Sequence, residues 1–282
     1  MTMLISTTLA EALNALAAEP SSMVLAGGTD AMVEINGGHR RPRSVIAVGR
    51  IPELRTWSHR AESATLRIGA AVTYAELEAE PFLQWVPALS QAARTVGSPQ
   101  IRHAATLGGN VATCSPAGDG LPVLAALDAT IHLVSASGSR SIRFDEFMTG
   151  PKRTALAAGE LIEAVSVPVL GGWQGYAKVG VRNAMVISNA GACLAVDDGG
   201  GVRLALGSVG PTIIRCRNAE AFAESVVDRD ARSVADSDAI EFGRVAATEA
   251  RPIDDHRSTA EYRRHAVAVL ARRLLRRAFP NG

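Results

Sequence analysis

Two glycine-rich segments carry the residue types best suited to chemistry in this chain. One is Leu25-Ala26-Gly27-Gly28-Thr29-Asp30, which follows the apolar run Met23–Leu25, and the other is Thr106-Leu107-Gly108-Gly109-Asn110. Adjacent glycines tolerate positive φ and let a ligand come close to the backbone. Successive free N–H groups in such a turn form a concavity that binds anions. Each pair also has a threonine hydroxyl and an Asn or Asp beside it. Two such turns from two lobes can hold a diphosphate without lysine, whereas a single one reads first as a plain tight turn. Other nucleotide and hydrolase signatures are missing: there is no GxxxxGK[ST], no GxGxxG between a strand and a helix, and no GxSxG elbow.

Composition narrows the chemistry further. The chain has 282 residues, 47% of them hydrophobic and 20% charged, with 29 Lys and Arg against 28 Asp and Glu. A net charge of +1 excludes a protein built to coat nucleic acid. Nearly all the cations are arginine, which makes the two lysines, Lys152 and Lys178, notable. Cys114, Cys193 and Cys216 are odd in number and far apart, so they suggest neither a disulfide framework nor an iron–sulfur cluster, and the scattered histidines give no metal-ligand spacing. The N-terminus lacks a basic region, Glu11 breaks its apolar run, and no stretch is long enough to span a bilayer. The expected compartment is the cytoplasm.

The elements that must position the glycine turns are legible in outline. The opening reads as a helix, with Thr8 and Glu11 as a capping box and Leu9, Leu13 and Leu16 on one face. Met23–Ala26 and Val45–Val48 read as buried strands, and Ala31–Ile35 fits either class. Thr73–Glu76 opens a short helix and 87–96 a longer one. The stretch 97–122 reads as loop. Ile131–Leu133 and Ile142–Phe144 suggest paired strands around a Ser-Gly-Ser turn, and 165–169 one more. After Gly171-Gly172 come three strand-like runs, 175–181, 191–196 and 202–209, and then helices. The last of these has a Leu/Val stripe opposite Arg272, Arg273, Arg276 and Arg277, which is either a solvated face or a docking face. The pattern is an α+β chain with lobes at 1–57 and 58–170 and a C-terminal domain at 171–282.

The glycine segments, with Ser115-Pro116-Ala117-Gly118-Asp119, Tyr176-Ala177-Lys178-Val179 and Ala205–Thr212, occur in an order that resembles the FAD-binding medium subunit of the molybdenum hydroxylases, the xanthine dehydrogenase and aerobic carbon monoxide dehydrogenase family. The resemblance covers nearly the whole chain. It implies a two-lobed FAD-binding domain of the PCMH type, followed by a smaller domain with a three-stranded antiparallel sheet and helices.

It also implies a set of site residues. Leu25, Ala26, Gly27, Gly28, Thr29 and Asp30 would form one FAD loop; Thr106, Leu107, Gly108, Gly109 and Asn110 would form the second, with Thr113 just beyond. Asp119 would accept hydrogen bonds near the ribityl chain and flavin, Ile162 would line the adenine or flavin pocket, and Lys178 would contact the cofactor. Val96 stands where the animal enzymes have an aromatic contact, and of the basic pair after the Lys178 strand only Arg182 is kept. No catalytic acid or base and no metal ligand is implied in this chain. The resemblance places molybdopterin in a large partner subunit and two 2Fe–2S clusters in a small one, in a doubled heterotrimer that relays electrons to NAD, oxygen or another acceptor. The alternative is a self-standing FAD-dependent oxidase or dehydrogenase acting directly on a small molecule.

Overall fold

A computed structural model describes residues 2–281. The chain starts with a strand, β1 (Thr2–Ile5), ahead of the expected helix α1 (Leu9–Ala18). β1 leaves no periodic signal in the sequence, because it has only four residues before the polar Ser6-Thr7-Thr8. It pairs in parallel with β3 (Ser44–Ala47), which pairs in parallel with β2 (Met23–Leu25) on its other side. The Thr8 hydroxyl caps α1 by accepting from the Glu11 N–H at 3.2 Å, but the Glu11 carboxylate turns to the Thr7 N–H, so the capping box is half formed. Ala12 and Leu16 pack under Ile46 and Val48. The ambiguous segment after the first glycine turn is a short helix, α2 (Ala31–Asn36).

The second lobe is an antiparallel sheet in the order β4-β5-β10-β6-β7. Its strands are β4 (Trp57–Arg60), β5 (Thr65–Gly69), β6 (Thr130–Ser135), β7 (Gly138–Arg143) and β10 (Leu161–Pro168). One face, with Leu66, Ile68, Ile131, Leu133 and Val165, is fully buried against Tyr74, Leu89, Leu107 and Leu124 from the intervening helices. The other face carries Arg67, His132 and Ser166. This apolar-in, polar-out division is usual where one face of an antiparallel sheet meets water. Between β5 and β6 run α3 (Tyr74–Leu77), α4 (Phe82–Trp85), α5 (Pro87–Thr95), α6 (Pro99–Ala104), α7 (Leu107–Thr113) and α8 (Leu121–Ala126). The stretch read as loop therefore holds two short helices, α6 and α7, capped by the Ser98 and Thr106 side chains. Phe144 begins a helical turn, α9 (Phe144–Phe147), rather than ending a strand, and a ribbon of β8 (Met148–Gly150) and β9 (Arg153–Thr154) follows.

The C-terminal sheet has four strands, not three: β11 (Gln174–Val179), β12 (Ala190–Val196), β13 (Val202–Gly207) and β14 (Ile214–Arg215). β14 is only two residues long, too short to leave a periodic signal. The sheet is buried on both sides, which is why β12 is apolar throughout. Tyr176, Cys193 and Ala195 join the core of the second lobe, while Ala192, Leu194 and Leu204 meet the helical layer. That layer is α10 (Arg217–Val226), α11 (Asp236–Glu249) and α12 (Ala260–Ala278). Two of the last helix's arginines, Arg272 and Arg276, reach Asp236 of α11, and Arg273 and Arg277 are exposed. Among the described residues no helix is long and apolar enough to cross a membrane.

Candidate functional site

The first glycine turn leaves β2 at Ala26 and enters α2 at Ala31. Gly28 has φ +73°, a left-handed value that glycine adopts without strain. Among the described residues, the N–H groups of Gly27, Gly28, Thr29 and Asp30 donate to no protein atom. All four residues are at least partly exposed. This turn is the open row of amides that anion binding requires.

The second pair is built differently. Thr106 is the N-cap of α7, and its hydroxyl accepts from the Gly109 N–H at 3.0 Å. The Leu107 N–H donates to Val72 O at 3.0 Å, Gly108 N–H to Ala70 O at 2.8 Å and Asn110 N–H to Thr106 O at 3.0 Å. The expected second nest of free amides is absent, because helix capping and the turn after β5 use them. These glycines serve closeness instead. A Cβ on Gly108 would meet Ala70 Cβ at 2.5 Å, whereas one on Gly109 would meet only Thr106 Oγ1, at 3.0 Å.

The two turns are neighbours. A methyl group on Gly27 would overlap the Ala104 carbonyl, two residues before the Thr106 cap. Ala26, Gly108, Gly109 and Ile162 line one cleft of about 100 Å³, with Val24, Val48, Ala70 and Leu161. The Thr113 hydroxyl lies 3.5 Å from Asp30 Oδ2. Lys152 pairs with Glu34 at 2.7 Å and stands 4.0 Å from Asp30. Leu107 points into the core, and Leu25 packs beside Gly28.

Asn110, Asp119 and Lys178 do not line this cleft. The Tyr74 hydroxyl donates to Asn110 Oδ1 at 2.7 Å, and the Asn110 amide packs against Gly118 and Gly120. Between those glycines sits Asp119, which accepts from the Tyr176 hydroxyl at 2.8 Å and from Lys178 Nζ at 2.6 Å. Lys178 also donates to Thr95 O at 3.0 Å and Val186 O at 3.1 Å, so its three protons are all placed. Burial pushes the Asp119 carboxyl above its ordinary range, and Lys178 and Tyr176 pull it back.

Residues 1–170 match the FAD binding domain in molybdopterin dehydrogenase, and residues 176–278 the CO dehydrogenase flavoprotein C-terminal domain. This chain belongs to the FAD-binding medium subunits of the molybdenum hydroxylases. It is 32% identical over 282 residues to a xanthine dehydrogenase FAD-binding subunit of Escherichia coli O157:H7, covering 96% of this chain and 93% of that one. It is 31% identical over 268 residues to the glyceraldehyde dehydrogenase medium chain of Sulfolobus acidocaldarius, covering 93% and 92%. A solved carbon monoxide dehydrogenase chain from Hydrogenophaga pseudoflava superimposes with a TM-score of 0.89 at 26% identity, covering 100% of this chain and 98% of that one. The medium subunit is thus an FAD-dependent oxidoreductase component.

The open amides of Gly27–Asp30 and the side-chain-free surface at Gly109 fit the diphosphate of such a cofactor. Sequence reasoning missed the supports: Tyr74 and Tyr176, which fix Asn110 and Asp119, and Ala70, whose smallness admits Gly108. The signal available for Ala70 was the Ala70-Ala71 pair directly after a strand.

Proposed function

We propose that this medium subunit is the flavin-bearing relay of a larger molybdenum hydroxylase, taking electrons from a partner 2Fe–2S subunit and passing them to NAD, oxygen or another acceptor. The carrying observation is the free-amide turn Gly27–Asp30, which is set against Ala104 and directly follows Ala26, a residue of the cleft that Gly109 also lines. In this reading the four amides donate to diphosphate oxygens, with Gly28 turning the row to one side. Gly109 lets the phosphates lie close to α7, and Ile162 covers the apolar wall. Thr29, Asp30 and Thr113 close the rim. Asp119 keeps lone pairs to accept a ribityl hydroxyl, while Lys178 holds Asp119 and the 181–187 segment in place from behind. FAD, when bound, supplies the redox chemistry, and the protein supplies binding, orientation and local charge.

Partner assignment follows from kinship: the relatives' names describe subunits and medium chains. We assign molybdopterin to a large partner and the clusters to a small one, in a doubled heterotrimer. Three unpaired, buried thiols fit a reducing compartment, which supports the cytoplasm. The test is to purify the full chain, load it with FAD and assay it with and without partner subunits. A yellow protein inert toward small substrates until partners are added is expected. Failure to take up FAD, or turnover by the chain alone, would overturn the proposal.

A further inference from the structure

Lys152 stands in the turn between β8 and β9 with φ +53°, a left-handed value that glycine or asparagine adopts at less cost than lysine. A lysine kept at such a position directs attention to what its side chain does. Its backbone N–H donates to the carbonyl of Cys114, the C-cap of α7, at 3.0 Å. Its Nζ donates to Glu34 Oε1 of α2 at 2.7 Å and lies 4.0 Å from an Oδ2 of Asp30, the N-cap residue of that helix. The bond from Lys152 holds the Glu34 carboxyl below its ordinary range, so the two groups meet as ions at neutral pH.

α2 and α7 are the helices of the two glycine segments. α2 starts directly after the free-amide turn Gly27–Asp30, and α7 contains Gly108 and Gly109. Lys152 is thus bonded through its main chain to one of these helices and through its side chain to the other. The pair with Glu34 joins residues 118 apart in the chain. Thr113, the last residue of α7, brings its hydroxyl within 3.5 Å of the same Asp30 oxygen. The arrangement also settles a problem of charge. Asp30 and Glu34 set two carboxylates beside amides suited to an anion. The Lys152 ammonium, with Arg40 3.8 Å from Glu34, offsets them.

We propose that Lys152 is a positioning residue for the cofactor's diphosphate: it ties α2 to the end of α7, fixing the spacing of the two glycine turns, and it offsets the charge of Asp30 and Glu34 beside the phosphates. The inference rests on the FAD reading above and gives Lys152 no contact with FAD itself.

FAD release from the full FAD-loaded chain, followed by flavin fluorescence after dilution, tests it. Lys152→Asn suits the left-handed backbone, so the Tm of its apoprotein should hold or rise. FAD should nevertheless leave it roughly two- to fivefold faster than the parent, the scale of an exposed ion pair. Lys152→Arg keeps the charge and should release FAD at close to the parent rate. The Lys152 and Glu34 side chains are 53% and 29% exposed, so salt at about 1 M should narrow the gap between parent and Lys152→Asn. A parent that takes up no FAD would sink this inference together with the FAD reading. In a parent that binds FAD, equal release by Lys152→Asn would overturn the role of Lys152 alone. So would a fall in apoprotein Tm that accompanies faster release, since Lys152 would then serve the fold only. A gap that salt leaves unchanged, or Lys152→Arg releasing FAD as fast as Lys152→Asn, would overturn it as well.

Discussion

Lys178 and Asp119 are 59 residues apart in the chain and 2.6 Å apart in space, each side chain only 9% exposed. Their pairing joins the C-terminal sheet to the loop before α8, and the other two Lys178 hydrogen bonds reach the end of α5 and the segment after β11. Removing one partner of a buried pair leaves an uncompensated charge, which costs more than the pair itself contributes. Lys178→Met is therefore expected to lose about 3–5 kcal/mol in urea unfolding, and Lys178→Met with Asp119→Asn to recover part of that loss. Equal stability of the Lys178→Met variant and the parent would show that the pair is not a structural joint.

The two glycine turns predict different outcomes for similar substitutions. Gly27→Ala drives a methyl group into the Ala104 carbonyl, and backbone cannot swing aside. It should lower both Tm and FAD retention. Gly109→Ala meets only Thr106 Oγ1 and sits inside α7, where alanine is favoured over glycine by up to about 1 kcal/mol. It should keep the fold but weaken FAD binding by roughly tenfold, about 1.4 kcal/mol. Thermal melts and FAD titration, run on both variants, separate the effects. FAD binding at parent affinity by Gly109→Ala would remove Gly109 from the site.

How far the sequence reached depended on the kind of signal. The glycine turns, the C-terminal hairpin and the amphipathic last helix were legible because turn chemistry and helical periodicity are local. β1, β4 and β14 were not, since each is a short strand defined by its partners rather than by its own pattern. The second glycine pair was assigned an anion nest from composition alone. What decides its role is that Thr106 caps the amides of Gly109 and Asn110 locally, while Val72 and Ala70, distant in sequence, take those of Leu107 and Gly108. The buried joint of Asp119, Tyr176 and Lys178 likewise rests on contacts from distant parts of the chain, so no spacing announced it.

His132, on the outer face of the five-stranded sheet, sits between two serines, with Ser141 Oγ 2.9 Å from Nδ1 and Ser166 Oγ 2.7 Å from Nε2. Burial, and then the nearby Arg67, lower its pKa below the ordinary value of 6.5, with Glu163 opposing. A base whose folded pKa is depressed binds fewer protons folded than unfolded. Its stabilising contribution is thus present above about 6.5 and is lost as pH falls toward the folded value. Wild-type Tm should drop more steeply than that of His132→Gln between pH 7.5 and pH 5, an interval chosen to bracket about 6.5. Parallel curves would show that the imidazole is not linked to folding.

The three cysteines should be chemically silent while the fold is intact. Cys114, Cys193 and Cys216 are all free and fully buried. Burial pushes the Cys114 thiol up to about 11, and it moves the other two higher still in the same direction. Thiol reactions need the thiolate and a path to it, and both are denied here. Ellman's reagent at neutral pH should label none of the three in the native chain and all of them in denaturant. Cys114 is the informative exception to watch, because it caps α7 in a left-handed conformation, φ +52°, and its carbonyl accepts from the Lys152 N–H. If the end of α7 opens when FAD is withdrawn, Cys114 alone should become reactive in the apoprotein, and added FAD should suppress that labelling. Equal protection with and without FAD would show that α7 is fixed by the core and not by the cofactor.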